Sequence, residues 1–300
     1  LLPLVKDSHA YFKKVIAESG SPVLTRSTEQ AIECTNELMN ILGCKTVADL
    51  QKIDVEKLIQ TSAVLALRVW PERDGNYLPL DPYESYANGA AKDIDILQGC
   101  NKDEMGYFVY CLGGVKIYDS WAADRKIKHL AKMTDAERAL VESFCNDLKN
   151  VTPEYTSTSR LFDNIVFIAP LFRMSENQTK AGGKSYTYYF TPESSIPLMK
   201  CGHAVELATV LNHPENIIFS GRAFDSTFSK TLRKMWVQFA KTGNPSLSAE
   251  ISPDGKAHEW PLYDSENKSI MVFDEFNIHS EKESELKIID RSEERRVGKE

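Results

Sequence analysis

The stretch Ile196–Leu207, I-P-L-M-K-C-G-H-A-V-E-L, holds the residue best placed to move a proton. Pro197 ends whatever precedes it, and Gly202 permits a tight turn. His203 comes next, at the mouth of an apolar run, its ring free to point into a cleft. A neutral imidazole takes a proton near neutral pH and returns it in the next step. A second chemical feature lies upstream, where Asp103-Glu104 follow the apolar run Asp93–Gly99, D-I-D-I-L-Q-G. In open α/β sheets, ligands meet residues at the carboxyl ends of strands. The same two carboxylates would also suit the first turn of a helix over 104–112, where the dipole favours negative charge. Acid then base, each behind a strand, is the order of the last two members of a Ser–Glu–His triad. There the hydroxyl is a weak nucleophile until the imidazole takes its proton, and the carboxylate fixes the imidazole's tautomer. The nucleophile motif G-x-S-x-G does not occur. Its nearest approach, Gly183-Lys184-Ser185-Tyr186-Thr187, has Thr187 where a second glycine is required. A rival chemistry would use His203 and Glu206 as an H-x-x-E metal pair, for which no third ligand lies nearby.

Elements that could position these residues alternate between strand and helix. Strands are expected at Lys13–Ser19, Asp93–Gly99 and Ser185–Phe190, with closing edge strands at Trp260–Tyr263 and Ser269–Phe273. Ser27 and Gln30 form a capping box for a helix to about Leu42, stopped by Gly43. Its apolar face is read as Ile32, Leu38, Met39, Ile41 and Leu42. Short helices are expected at Val47–Lys52 and Val55–Ser62, and Trp70–Ala90, rich in Pro and Gly, reads as a long surface loop. Thr134, with Glu137 at the box position, caps a helix to Lys149. A further helix starts near Ser157 and bends at Pro170, and its nearly all-round apolar surface demands burial. Ala223–Thr242 repeats Phe224, Phe228, Leu232, Met235, Trp236 and Phe239 at helical spacing, with Gly243 at its end. The fold class is therefore α/β with a largely parallel sheet.

The 300 residues carry a net charge of −7, against the basic stripe a nucleic-acid binder would show. No apolar run is long enough for a membrane span, and no signal peptide is visible. The chain starts Leu1-Leu2-Pro3, which reads as a fragment whose natural start lies upstream. None of the six cysteines forms a C-x-x-C pair, and most sit among apolar neighbours. Cys34 and Cys44 alone are close enough to suggest a small disulfide loop. The free-looking thiols lean toward a cytoplasmic compartment, which the sequence leaves unknown. The sequons at Asn150, Asn177 and Asn267 matter only in a secreted protein. Residues 281–300 read as a solvated charged tail, and Arg291–Glu300 as a run-on sequence.

Four ordered motifs resemble the type-B carboxylesterases, the family of the cholinesterases and para-nitrobenzyl esterases. Phe12–Pro22 resembles F-x-x-x-I-x-Q-S-G-S-P, with Glu18 in place of the Gln. Asn101–Phe108 resembles N-x-D-E-G-x-x-F, with Met105 inserted before Gly106. His203–Leu207 resembles H-x-x-E-L, with Gly202 adjacent to the histidine. Met235–Pro245, with Trp260-Pro261-Leu262-Tyr263 downstream, resembles the family's C-terminal helix signature.

The resemblance implies an α/β-hydrolase fold, of which residues 1–280 are the C-terminal portion of one domain: a mostly parallel sheet with helical insertions. It implies a carboxylic-ester hydrolase with Glu104 as triad acid and His203 as base. Ser19 would hydrogen-bond the acid. The nucleophilic serine and the Gly-rich oxyanion segment would lie upstream of Leu1, so residues 1–300 alone would be inactive. The implied substrate is a small-molecule ester, with no metal or organic cofactor, and the oligomeric state stays open. The alternative is a cholinesterase-like adhesion or scaffold protein without catalysis.

Overall fold

Five strands form one sheet in the order β1-β2-β3-β4-β5 in the computed structural model, which describes residues 1–64, 70–130, 134–147 and 152–283. These are β1 (Lys14–Glu18), β2 (Asp95–Asn101), β3 (Ser185–Phe190), β4 (Ser269–Asp274) and β5 (Asn277–Lys282). The first four run parallel, and β5 returns antiparallel to β4. Parallel strands need a crossover, and the helices supply it. Between β1 and β2 lie α1 (Thr28–Leu42), α2 (Val47–Leu50), α3 (Val55–Val64) and α4 (Pro82–Ala87). Between β2 and β3 come α5 (Met105–Cys111), α6 (Val115–Leu130), α7 (Asp135–Asp147), α8 (Ser157–Phe162), a π-helical turn (Asp163–Ile168) and α9 (Ala169–Lys180). Between β3 and β4 lie α10 (Leu207–Val210) and α11 (Ser226–Thr242).

The period of two along β3 divides the core. Tyr186, Tyr188 and Phe190 face α11 and pack with Phe228, Leu232, Met235, Trp236 and Phe239. Tyr189 faces the other layer, with Phe167, Ile168, Leu171 and Phe172. α11 is held at both ends: Asp225 accepts from the N–H groups of Thr227 and Phe228, and Gly243 closes it at φ 79°.

Several expectations are corrected. Trp70–Ala90 is not all loop, because Asp81 caps α4 and Pro82 occupies its first turn. β2 is shifted toward Asn101, since pairing with β3 continues to Asn101↔Phe190. Ile32 and Ile41 of α1 are 55% and 51% exposed, while Cys34 and Leu42 are buried. Nine positions of a 3.6-residue helix put Ile32 and Ile41 on opposite sides, so they never shared a face. Pro170 does not bend a helix near its end; it lies in the first turn of α9, which continues to Lys180. Trp260–Tyr263 forms no strand, although Tyr263 N–H donates to Ser185 O at 2.8 Å. Pro261 has no N–H to extend such a ladder. β5, N-I-H-S-E-K, carries no apolar alternation and is an edge strand; it reaches Lys282, two residues into the stretch expected as tail. Cys34 and Cys44 are both free. Residues 284–300 of the tail, Asn150, and the stretch 148–149 of the Thr134 helix lie outside the described residues.

Candidate active site

Three neighbouring parallel strands deliver one side chain each to the same end of the sheet. Ser19 comes directly after β1, Glu104 lies three residues past β2, and His203 sits in the loop after β3. Glu104 Oε2 lies 2.6 Å from His203 Nδ1. Its other oxygen, Oε1, accepts from Ser19 Oγ at 2.5 Å and from Asn101 N–H at 2.7 Å. The carboxylate is fully buried, whereas the imidazole is 35% exposed. A buried carboxylate with every contact a donor is fixed in orientation, and the ring nitrogen it leaves free is Nε2. Ser185, from the nearest approach to a nucleophile motif, lies elsewhere: it is fully buried beside Gln98 and Ser175.

The two loops reach this geometry through close backbone contact. His203 N–H donates to Glu104 O at 3.1 Å, and Asp103 N–H to Cys201 O, also at 3.1 Å. The Asp103 carboxylate accepts from Cys201 N–H at 3.2 Å and pairs with Arg160. Leu198, Lys200 and Ala204 all adopt left-handed φ, between 53° and 71°, as the loop coils around Met199. Gly106 makes the approach possible: a Cβ there would stand 2.0 Å from Met199 O. Gly106→Ala is therefore expected to lower stability by roughly 3 kcal/mol and to part the loops that hold Glu104 and His203. Thermal melts check this, and an unchanged melting temperature would contradict it.

Electrostatics at the pair are set by burial against charge. Burial pulls the His203 pKa down, but the hydrogen bond and charge of Glu104, with Glu206 beyond, outweigh it and hold the imidazole above its usual 6.5. Glu206, which the sequence offers as a motif residue and as half of the rival metal pair, has a place of its own beside the Glu104–His203 pair. It is buried, accepts from Asn101 Nδ2 at 2.5 Å, and has its pKa pushed up to about 7 by burial and by Glu104. Asn101 thus joins both carboxylates, giving its N–H to Glu104 and its amide to Glu206. Glu206 faces Asn101, and among the described residues no three His, Cys, Asp or Glu side chains group as a metal site. A carboxyl raised from 4.5 to about 7 on folding contributes stability fully present below 4.5 and lost as pH rises through about 7. Glu206→Gln keeps an acceptor for Asn101 and removes that loss. Its melting temperature relative to wild type is expected to rise by roughly 2–4 °C between pH 5 and pH 8. A difference constant with pH would contradict the assignment.

Aromatic rings enclose the imidazole: Phe167, Phe108 and Tyr107 have centroids 5.5, 6.1 and 6.2 Å away. The sequence places Phe167 in the core without this contact. Its only signal is the helix apolar on nearly all sides.

A mostly parallel sheet with an acid and a histidine behind consecutive strands is the α/β-hydrolase arrangement. The carboxylesterase EST55 of Geobacillus stearothermophilus shares the fold, with TM-score 0.72 and 24% identity over 94% of this chain and 58% of that one. The chain belongs to the carboxylesterase family, whose profile matches residues 1–288. It is 26% identical over 291 residues to the para-nitrobenzyl esterase of Bacillus subtilis (strain 168), covering 91% of this chain and 55% of the relative. It is 25% identical over 296 residues to the acetylcholinesterase of Bungarus fasciatus, covering 87% and 47%. The chain thus spans about half the length of these relatives.

Proposed function

We propose that this chain supplies the acid and base of a serine-type carboxylic-ester hydrolase, the serine lying on sequence outside residues 1–300. The observation that carries the reading is the 2.6 Å contact between Glu104 and the Nδ1 side of His203. With Nδ1 engaged, Nε2 takes the proton of the serine hydroxyl as it attacks the ester carbonyl. The imidazolium, stabilised by Glu104, gives that proton to the leaving alcohol. Water then enters, His203 takes its proton as the water oxygen bonds to the acyl carbon, and that proton passes to the serine oxygen as its bond to the acyl group breaks and the carboxylic acid departs. Backbone N–H groups outside this chain stabilise the oxyanion. Among the described residues β1 pairs on one side only, with β2. Its free edge takes the strand that leads to the serine, and residues 1–280 form part of one domain completed in this way. The substrate is a small-molecule ester whose flank tolerates Phe108 and Phe167.

Turnover of p-nitrophenyl esters against pH, in a longer protein carrying the serine, tests the reading. A base held above 6.5 must be neutral to act. Turnover is expected to rise with pH to a plateau, with its midpoint above that value. Residues 1–300 alone should show none. A pH-independent rate, or turnover by residues 1–300, would count against the proposal.

A further inference from the structure

The helical run behind the site is interrupted where it passes His203. In the π-helical turn Asp163–Ile168, Ala169 N–H reaches back five residues to Asn164 O. Pro170, in the first turn of α9, has no N–H to offer the preceding turn, and its ring crowds that turn. A widened turn accommodates both, and such turns recur at functional sites. One extra residue rotates the downstream helix by about 100°. One end of this turn holds the residue after Glu104, and the other lies against the imidazole. Asp163, 1% exposed, accepts from Met105 N–H at 2.8 Å, directly after Glu104. Phe167, 2% exposed, lies against the imidazole, with ring centroids 5.5 Å apart and planes at 36°.

We infer that Phe167 is a positioning residue for His203. Its ring, aimed by the π-helical turn, packs the imidazole so that Nδ1 stays on Glu104 and water stays off that hydrogen bond. This rests on the reading of His203 as base, but its test does not need turnover.

The test is proton NMR of the longer, serine-bearing protein labelled with ¹⁵N-histidine. Wild type should show a low-field Nδ1–H resonance that Glu104→Gln removes. Phe167→Ala should broaden it beyond detection while keeping a cooperative melt, and Phe167→Leu should keep it. If Phe167→Ala does not melt cooperatively, Phe167→Val is read in the same way. In the longer protein, Phe167→Ala should lower kcat by about 10–100-fold at near-constant KM, with Phe167→Leu recovering most of the loss. A resonance missing from wild type, unchanged in Phe167→Ala, or lost equally in Phe167→Leu would overturn the inference. The hydrolase reading fails separately, if the longer protein keeps the resonance and turns over no ester.

Discussion

Replacing His203 by alanine in a longer, serine-bearing protein is expected to lower ester turnover by about 10⁴-fold or more. Among the described residues the other imidazole–carboxylate pairs are local, His213 with Glu215, His258 with Asp254 and His279 with Glu281, each two to four positions apart, whereas His203 meets a carboxylate carried behind a neighbouring strand. The loss should fall on kcat, because the base acts in the transition state and contributes little to ground-state binding. Stability should change little, since the side chain is 35% exposed. Steady-state kinetics with a p-nitrophenyl ester, beside a thermal melt, reads both quantities. Near-normal turnover would remove His203 from the mechanism.

Glu104→Gln should be nearly as severe, at about 10³–10⁴-fold in kcat. The amide can still occupy the site, but Nδ1 then meets a neutral group, so neither the tautomer nor the imidazolium is stabilised as before. The pH profile should move with it. Removing the carboxylate takes away the hydrogen bond and charge that hold His203 above 6.5, so the rising limb shifts to lower pH. Ser19→Ala provides the contrast. It removes one donor from Glu104 and leaves Asn101 N–H in place. A single hydrogen bond of that kind is worth about 1–2 kcal/mol, so roughly a tenfold loss is expected. A Glu104→Gln variant no worse than Ser19→Ala would deny Glu104 its role.

The features legible in the sequence are local. Ser185–Phe190 announces a strand through its β-formers, and it is a strand over those same residues. The helical spacing of Phe228, Leu232, Met235, Trp236 and Phe239 announces the buried face of α11. The order of Glu104 and His203 along the chain suggests that they can meet, because loops after neighbouring parallel strands leave the sheet at one end. The illegible features depend on contacts distant in sequence. β5 has no apolar alternation and exists because β4 offers it an edge. The inserted Met105 puts the start of α5 in question, and only the packing of Gly106 on Met199 O shows how the loop closes. Glu206 and Asn101 are 105 positions apart, and no spacing rule joins them. The π-helical turn needs both Pro170 and the neighbouring core to be specified.

The most direct measurement is active-site labelling of a longer protein that includes residues 1–300, using a fluorophosphonate and then peptide mapping. One labelled serine outside residues 1–300, with labelling lost in His203→Ala, is the predicted result. A specific label on a serine within residues 1–300, or labelling that persists at its normal rate without His203, would contradict the account.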